Sequence, residues 1–348
     1  MHFLHVVRAI CVVAVFGCAV EAGPDTDDDT VEAGLFPEPM AVIGSEASTE
    51  TMLWQPRSVA FTRSGNLLVA DRDMTVREFT PSGQVVSRFG TVGSGPGEFR
   101  QLHWAYPIRG DSIAAFDGEL RRLTVFTAEG RYGRSALLTL PYFVDAGMLW
   151  TGEMLGFQLP AQRVKPGDAW GTAPILLVSS DVTTLETADT VLHAVWLHCD
   201  PGNARMCVPH AEPAQQRRGA WARSGSLVLI APADGGMVYS ATPGALRDTA
   251  VVRLPSRGGA PTVETLLAAG GGFWAEIRDG TDHYWLWWRS DGRLARYRPI
   301  TDATIRAATE TCLVTWRLTD TGTGVLEVYS LGTAHERAGG ACALATDV

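Results

Sequence analysis

The stretch Gly65-Asn66-Leu67-Leu68-Val69-Ala70 decides the fold. A glycine-led turn opens into a short, strongly apolar, β-prone run. The arrangement returns in Gly110-Asp111-Ser112-Ile113-Ala114-Ala115, Gly152-Glu153-Met154-Leu155-Gly156-Phe157, Gly225-Ser226-Leu227-Val228-Leu229-Ile230 and Gly271-Gly272-Phe273-Trp274-Ala275. With threonine leading, it returns once more in Thr311-Cys312-Leu313-Val314-Thr315-Trp316. A period of roughly 40–50 residues with several strands per unit predicts a β-propeller. Six repeats predict an all-β, six-bladed propeller of four-stranded antiparallel blades over residues 39–331. Such a ring is one domain whose natural site is the mouth of its central channel, and the fold by itself names no chemistry.

The first two units can be read strand by strand. Arg57-Ser58-Val59-Ala60-Phe61 alternates with period two, Thr62-Arg63-Ser64-Gly65-Asn66 turns, and a buried strand ends at Asp71. Val76-Arg77-Glu78-Phe79, the turn Thr80-Pro81-Ser82-Gly83 and Val85-Val86-Ser87-Arg88-Phe89 complete the blade. In the second unit Asp117 stands where Asp71 stands. Phe126 precedes Gly130 as Phe79 precedes Gly83 and Trp288 precedes Gly292. The aromatic is expected to pack between blades, and the glycine to supply positive φ in the hairpin. Met40-Ala41-Val42-Ile43 is expected to close the ring beside the last blade, removing a free sheet edge. Wide spacing between the third and fourth repeats predicts a loop insertion in or after the third blade, at about 183–216. The small, polar tail 332–348 is expected outside the ring.

The chain has 348 residues and a formal net charge of −9, with no block of Lys and Arg. That excludes a nucleic-acid surface, which needs clustered cations. Residues 1–22 read as an export signal: a weakly basic start with Arg8, then an apolar run too short to span a bilayer. Val15-Phe16-Gly17-Cys18 resembles a lipobox, with cleavage before Cys18 and lipidation of that cysteine; Phe16 departs from the small or branched residue usual there. Ordinary cleavage near Ala22 is the alternative. Residues 23–38, acidic and without apolar period, are expected to be a disordered tether. The expected location is the cell envelope, through a lipid anchor only, or otherwise the periplasm or outside. Cys199, Cys207, Cys312 and Cys342 then remain, and four cysteines allow three pairings. Proximity favours Cys199–Cys207, leaving Cys312 and Cys342 to tie the tail to the sixth blade; each bridge is worth roughly 2–4 kcal/mol.

The run Phe89-Gly90-Thr91-Val92-Gly93-Ser94-Gly95-Pro96-Gly97-Glu98-Phe99 resembles the inter-blade signature of NHL-repeat-like six-bladed propellers. So does Pro56-Arg57-Ser58-Val59-Ala60 leading to Leu68-Val69-Ala70-Asp71. The resemblance covers the first two blades; beyond them only the spacing persists. It implies an exported bacterial propeller, of a kind often lipidated. Related six-bladed lyases and lactonases hold a divalent metal in the channel with His, Glu, Asn or Asp. None of those motifs maps onto this chain residue by residue, so no cofactor is identified. The glycine-rich run is not a phosphate loop, because it carries no Lys-Ser or Lys-Thr and continues into a strand.

Chemistry is sparse. There is no His-Glu-x-x-His, and Gly93-Ser94-Gly95 lacks the strand-to-helix setting of a nucleophile elbow. His103, His193, His198, His210 and His283 are available as ligands, but Cys199, Cys207 and His210 read better as a disulfide with a neighbour than as a zinc knuckle. Asp71 and Asp117, at equivalent positions near the disc face, are placed to hold a cation or polar ligand; capping of turn amides is the stronger reading. Arg57, Arg72 and His103 are candidates for the channel mouth under the same discount. Tyr284-Trp285-Leu286-Trp287-Trp288 reads as inter-blade core, and Trp104 as core or as a stacking platform for a sugar or peptide. The expected role is a binding or scaffold module for a protein, peptide or glycan of the envelope. A metal-dependent lyase or lactonase is the alternative, and a quinoprotein dehydrogenase a third.

Overall fold

The structure, a computed structural model, describes residues 31–32, 38–44, 48–137, 149–150, 154–158, 170–179, 189–198, 220–224, 227–231, 237–242, 245–254, 261–269, 272–279, 282–289, 293–297, 303–309, 311–331 and 342. Each of the six repeat runs forms the second strand of its own sheet. The first sheet is Pro56–Phe61, Leu67–Asp71, Val76–Phe79 and Val85–Phe89; the second is Leu102–Pro107, Ile113–Asp117, Arg122–Phe126 and Tyr132–Leu137. The third is Leu149–Trp150, Met154–Gln158, Trp170–Ser179 and Asp189–His198; the fourth is Ala220–Ser224, Leu227–Ala231, Met237–Thr242 and Ala245–Arg253. The fifth is Thr262–Ala269, Gly272–Asp279, Asp282–Arg289 and Leu294–Tyr297, and the sixth is Thr304–Ala308, Cys312–Leu318 and Gly324–Ser330. Ala41–Ile43 completes the sixth sheet from the other end of the chain, antiparallel to Gly324–Ser330, with Ala41 opposite Val328.

Why the second strands are largely apolar on both faces follows from their packing. Leu67 and Val69 bury against the sixth sheet, in a cluster with Val314, Trp316, Leu326 and Val328. Their alternates Leu68 and Ala70 bury against the second, with Ala105, Ile113, Ala115 and Phe126. Successive side chains point to opposite faces, so a strand flanked by sheets on both sides must be apolar throughout. The fifth sheet repeats the logic: Phe273, Ala275, Tyr284 and Leu286 face Leu229 and Val238 of the fourth, while Trp274 and Trp285 face Leu313 and Tyr329 of the sixth. Each fully buried large apolar side chain contributes about 1.5–3 kcal/mol.

The first strands of neighbouring sheets lie side by side, linking second to first, first to sixth, sixth to fifth, fifth to fourth and fourth to third. Phe79 and Phe126 are buried between sheets, and the turn glycines after them have φ of 90° at Gly83 and 76° at Gly130, as the repeat requires.

Three expectations change. Val31–Glu32, inside the stretch read as a disordered tether, pairs in parallel with Ala295 and Arg296, because the outer edge of the fifth sheet offers free backbone groups to an extended segment. Asp189–His198, inside the expected insertion, is the outer strand of the third sheet, so that much of the extra length is blade; residues 199–219 lie outside the described residues. The tail returns to the core at Cys342, which is buried and bonded to Cys312 with Cα atoms 5.4 Å apart. Cys18, Cys199 and Cys207 lie outside the described residues.

Candidate functional site

The first strands carry an irregularity that the sequence does not display. In each of four sheets one residue is skipped in the pairing with the second strand: Arg57 between Pro56 and Ser58, His103 between Leu102 and Trp104, Glu264 between Val263 and Thr265, and Arg306 between Ile305 and Ala307. These are β-bulges, which re-aim side chains and favour rims and binding sites. Arg57, His103 and Glu264 occupy equivalent positions, whereas the Arg306 bulge lies two residue pairs nearer the hairpin; the sequence points to neither Glu264 nor Arg306. Only strand register could have found them.

Asp71 and Asp117 hold the same end of the first two sheets together. Asp71 Oδ2 accepts from the Trp54 N–H at 2.8 Å, and its Oδ1 accepts from Gln55 at 2.6 Å and Arg72 at 2.7 Å. Asp117 accepts from Arg100 at 2.6 Å, Gln101 at 3.2 Å and Leu120 at 2.7 Å. Both carboxylates are fully buried, and each ties the segment entering its sheet to the end of the second strand. Asp71 also meets the buried Arg77 at 3.3 Å. Arg77 in turn donates to Asp73. Burial opposes ionisation of Asp73, but hydrogen bonds from Arg77 and Thr75, with the Arg77 charge, outweigh it and hold the carboxyl below its usual value. These oxygens are engaged by backbone amides, which a cation would have to displace.

Trp104 is 1% exposed and stacks on Phe116 with ring centroids 5.5 Å apart, so it offers no platform to a ligand. The residue after the bulge points into the sheet-to-sheet packing. The exposed aromatic on this end is Trp54, at 65%, in the segment that Asp71 ties down. Arg57, close by in sequence, and Arg72, whose N–H donates to the Gln55 carbonyl, are also exposed, and Arg100 occupies the position in the second sheet that Trp54 has in the first. Arg100 is paired with Glu119 at 3.2 Å, and Glu264 with Arg278 at 3.4 Å. Thus Arg57, Arg72, His103, Asp71 and Asp117 share one end of the sheets, with the carboxylates as its frame, Arg57 and Arg72 on its surface and His103 partly buried.

Arg306, like His103 and unlike Arg57 and Glu264, is partly buried. Its Nε is buried without a hydrogen-bond partner. Burial lowers the affinity of its guanidinium for the proton, against the opposing fields of Glu276 and Tyr106. Glu276 is itself buried and engaged, sharing a 2.8 Å hydrogen bond with His283 Nε2 and accepting from the Ile305 N–H at 3.3 Å. Tyr106 lies on the first strand of the second sheet, and burial pushes its hydroxyl up to about 12, the Arg306 charge pulling the other way. An unfolded tyrosine ionises near pH 10. Stability is therefore intact below pH 10 and falls as pH rises towards 12, Tyr106 accounting for about 1–3 kcal/mol of the loss. Urea midpoints measured from pH 8 to 11.5 should fall less steeply in Tyr106→Phe; equal slopes would refute the assignment.

The opposite end of the first two sheets holds a cleft of about 390 Å³ lined by Thr62, Arg63, Ser64, Glu78, Pro107 and Asp111, among others. Glu78 there accepts from Asn66 Nδ2 at 2.8 Å and Ser87 Oγ at 3.3 Å. The glycine-rich run is pinned by Arg122, which donates to the carbonyls of Ser94, Gly95 and Glu98, and by Phe99 in the core.

Consecutive four-stranded antiparallel sheets, packed through their first strands, define a β-propeller. Solved structures agree. The chain is similar to a member of the DUF4221 family from Bacteroides vulgatus, with a TM-score of 0.58 at 9% identity, over 84% of this chain and 97% of that one. A Bacteroides fragilis protein described as exported gives 0.54 at 12%, over 84% and 95%. The Cps50 (Swd1) β-propeller domain of Myceliophthora thermophila gives 0.51 at 11%, over 85% and 100%. Identities this low establish the fold alone. No family model matches the sequence, and no curated protein does.

Proposed function

We propose that this chain is an exported, lipid-anchored propeller of six blades, closed by its N-terminal strand and by packing of the second sheet on the third, that binds a peptide or glycan of the cell envelope. The binding surface is the end of the sheets where the first strands begin. One observation carries this reading: three bulges aim Arg57, His103 and Glu264 from equivalent positions, next to a tryptophan that is 65% exposed on a segment fixed by a buried carboxylate, and a fourth bulge sets Arg306 further along its strand. An exposed indole on a rigid segment, flanked by arginines, is the composition of a recognition surface. The apolar leader and the acidic stretch after it support export and tethering.

The test is a thermal-shift screen of the full chain, disulfides intact, against short peptides, oligosaccharides and divalent metals with and without chelator. A ligand at one hundred times its dissociation constant adds about 2.7 kcal/mol. Trp54→Ala should leave the unliganded protein within about 0.5 kcal/mol of wild type, since the side chain buries little, and should remove the ligand-induced shift. A shift unchanged in Trp54→Ala would place binding elsewhere. A shift seen only with a metal, and reversed by chelator, would favour the lyase or lactonase reading.

A further inference from the structure

Arg306 poses a physical problem. A guanidinium is hydrated at every N–H in water, and burying a donor without replacing its acceptor is unfavourable. Arg306 has a buried Nε with no acceptor, and among the described residues it forms no hydrogen bond or ion pair. The acid in its field, Glu276, already has its oxygens engaged by His283 and by the Ile305 amide. Arg77 also leaves its Nε buried without a partner, but its two terminal nitrogens reach Asp71 and Asp73, and among the described residues the Arg306 fork has no such acids. Arg306 sits at a bulge, which takes its side chain out of the ladder, and it retains partial exposure, so solutes can reach it. The Thr304 hydroxyl on the same strand is also buried without a partner. Tyr106, on the first strand of the second sheet, keeps its hydroxyl protonated at neutral pH.

We infer that Arg306 is the receptor for a carboxylate group of the ligand. The inference rests on the binding reading above and names the group that the site takes. A planar guanidinium matches a carboxylate with two parallel N–H···O bonds. Glu276 selects for single charge: its field penalises a dianion such as phosphate more than a monoanion. The carboxylate comes either from a peptide C-terminus or from an acidic sugar.

The experiment uses the full chain and four probes: an N-acetyl dipeptide with a free C-terminal carboxylate, the same dipeptide as its amide, glucuronic acid, and inorganic phosphate. Calorimetric titration should show binding of at least one carboxylate probe, the responding one identifying the source. The amide should bind at least tenfold more weakly, and phosphate no better than chloride at equal ionic strength. Arg306→Met should weaken carboxylate binding about tenfold or more, since a hydrogen bond to a charged group is lost. Arg306→Lys should recover part of it, keeping the charge without the fork. The unliganded Arg306→Met protein should melt at or above the wild-type temperature, because methionine fills similar volume and no partner is stranded.

Equal binding of carboxylate and amide, absence of binding by any probe, or undiminished binding in Arg306→Met would overturn the assignment. So would a lowered melting temperature in unliganded Arg306→Met, which would make the arginine structural. If these fail while Trp54→Ala still abolishes capture of another ligand, the surface stands and only the carboxylate receptor falls.

Discussion

Asp71→Ala should destabilise the protein by about 3–5 kcal/mol, the range for stripping a buried charged partner from its network. The substitution removes the acceptor for three backbone amides, Trp54, Gln55 and Arg72, in one step. It also leaves Arg77, 1% exposed, with Asp73 as its remaining ion-pair partner. A buried amide left without an acceptor costs about 1–3 kcal/mol, and water is poorly placed to replace a fully buried carboxylate. Asp71→Asn is no rescue: an amide has one acceptor oxygen, and its NH2 would face a backbone donor. Asp117→Ala is the internal comparison. It loses the same kind of amide triad, Arg100, Gln101 and Leu120, but strands no buried arginine, so its cost should be smaller, about 2–3 kcal/mol. Urea denaturation of both variants measures the difference. If Asp71→Ala falls within about 0.5 kcal/mol of wild type, the framing role is wrong, and a ligand role for Asp71 would return.

The same two residues show how far the sequence can be read. Their equivalence is visible from the repeat, because each closes an apolar run at a fixed distance from its turn. Their role is not, since their partners lie 16 and 17 residues upstream, in loops whose path no local pattern predicts. The blades are legible for a related reason: a strand packed on both faces must be apolar throughout, and that constraint writes itself into every second strand. The bulges leave no such mark. Arg57, His103, Glu264 and Arg306 share no one side-chain type, being two arginines, a histidine and a glutamate, and what unites them is a skipped pairing. Trp54 and Trp104 differ for another reason: Trp54 lies in the segment entering its sheet and is 65% exposed, whereas Trp104 is inside a first strand, paired with Phe116, and is 1% exposed.

The second large effect concerns the Cys312–Cys342 bridge, the one link between the tail and the sheets that the structure describes. Its cysteines are separated by 30 residues in sequence, and a loop of that size restricts the unfolded chain by about 3–4 kcal/mol. Its position adds to this. Cys312 opens the second strand of the sixth sheet, and Cys342 lies in the cluster that joins that sheet to the first. A Cβ at Gly65 would stand 2.5 Å from the Cys342 carbonyl, so the tail fills space that the first sheet leaves open. The bridge therefore fastens the junction where the two ends of the chain meet, the junction also closed by Ala41–Ile43. Replacing both cysteines by alanine should lower stability by about 3–5 kcal/mol, the range for removing a native bridge. Comparing this variant with wild type under non-reducing conditions leaves every other cysteine as it is, which reduction with a thiol would not. Hydrogen exchange should then show early opening of Gly324–Ser330 and Leu67–Asp71, the strands flanking the junction, ahead of Gly272–Asp279 in the fifth sheet. Uniform opening of all these strands, or a loss below about 1 kcal/mol, would mean that the junction is held by packing and strand pairing alone.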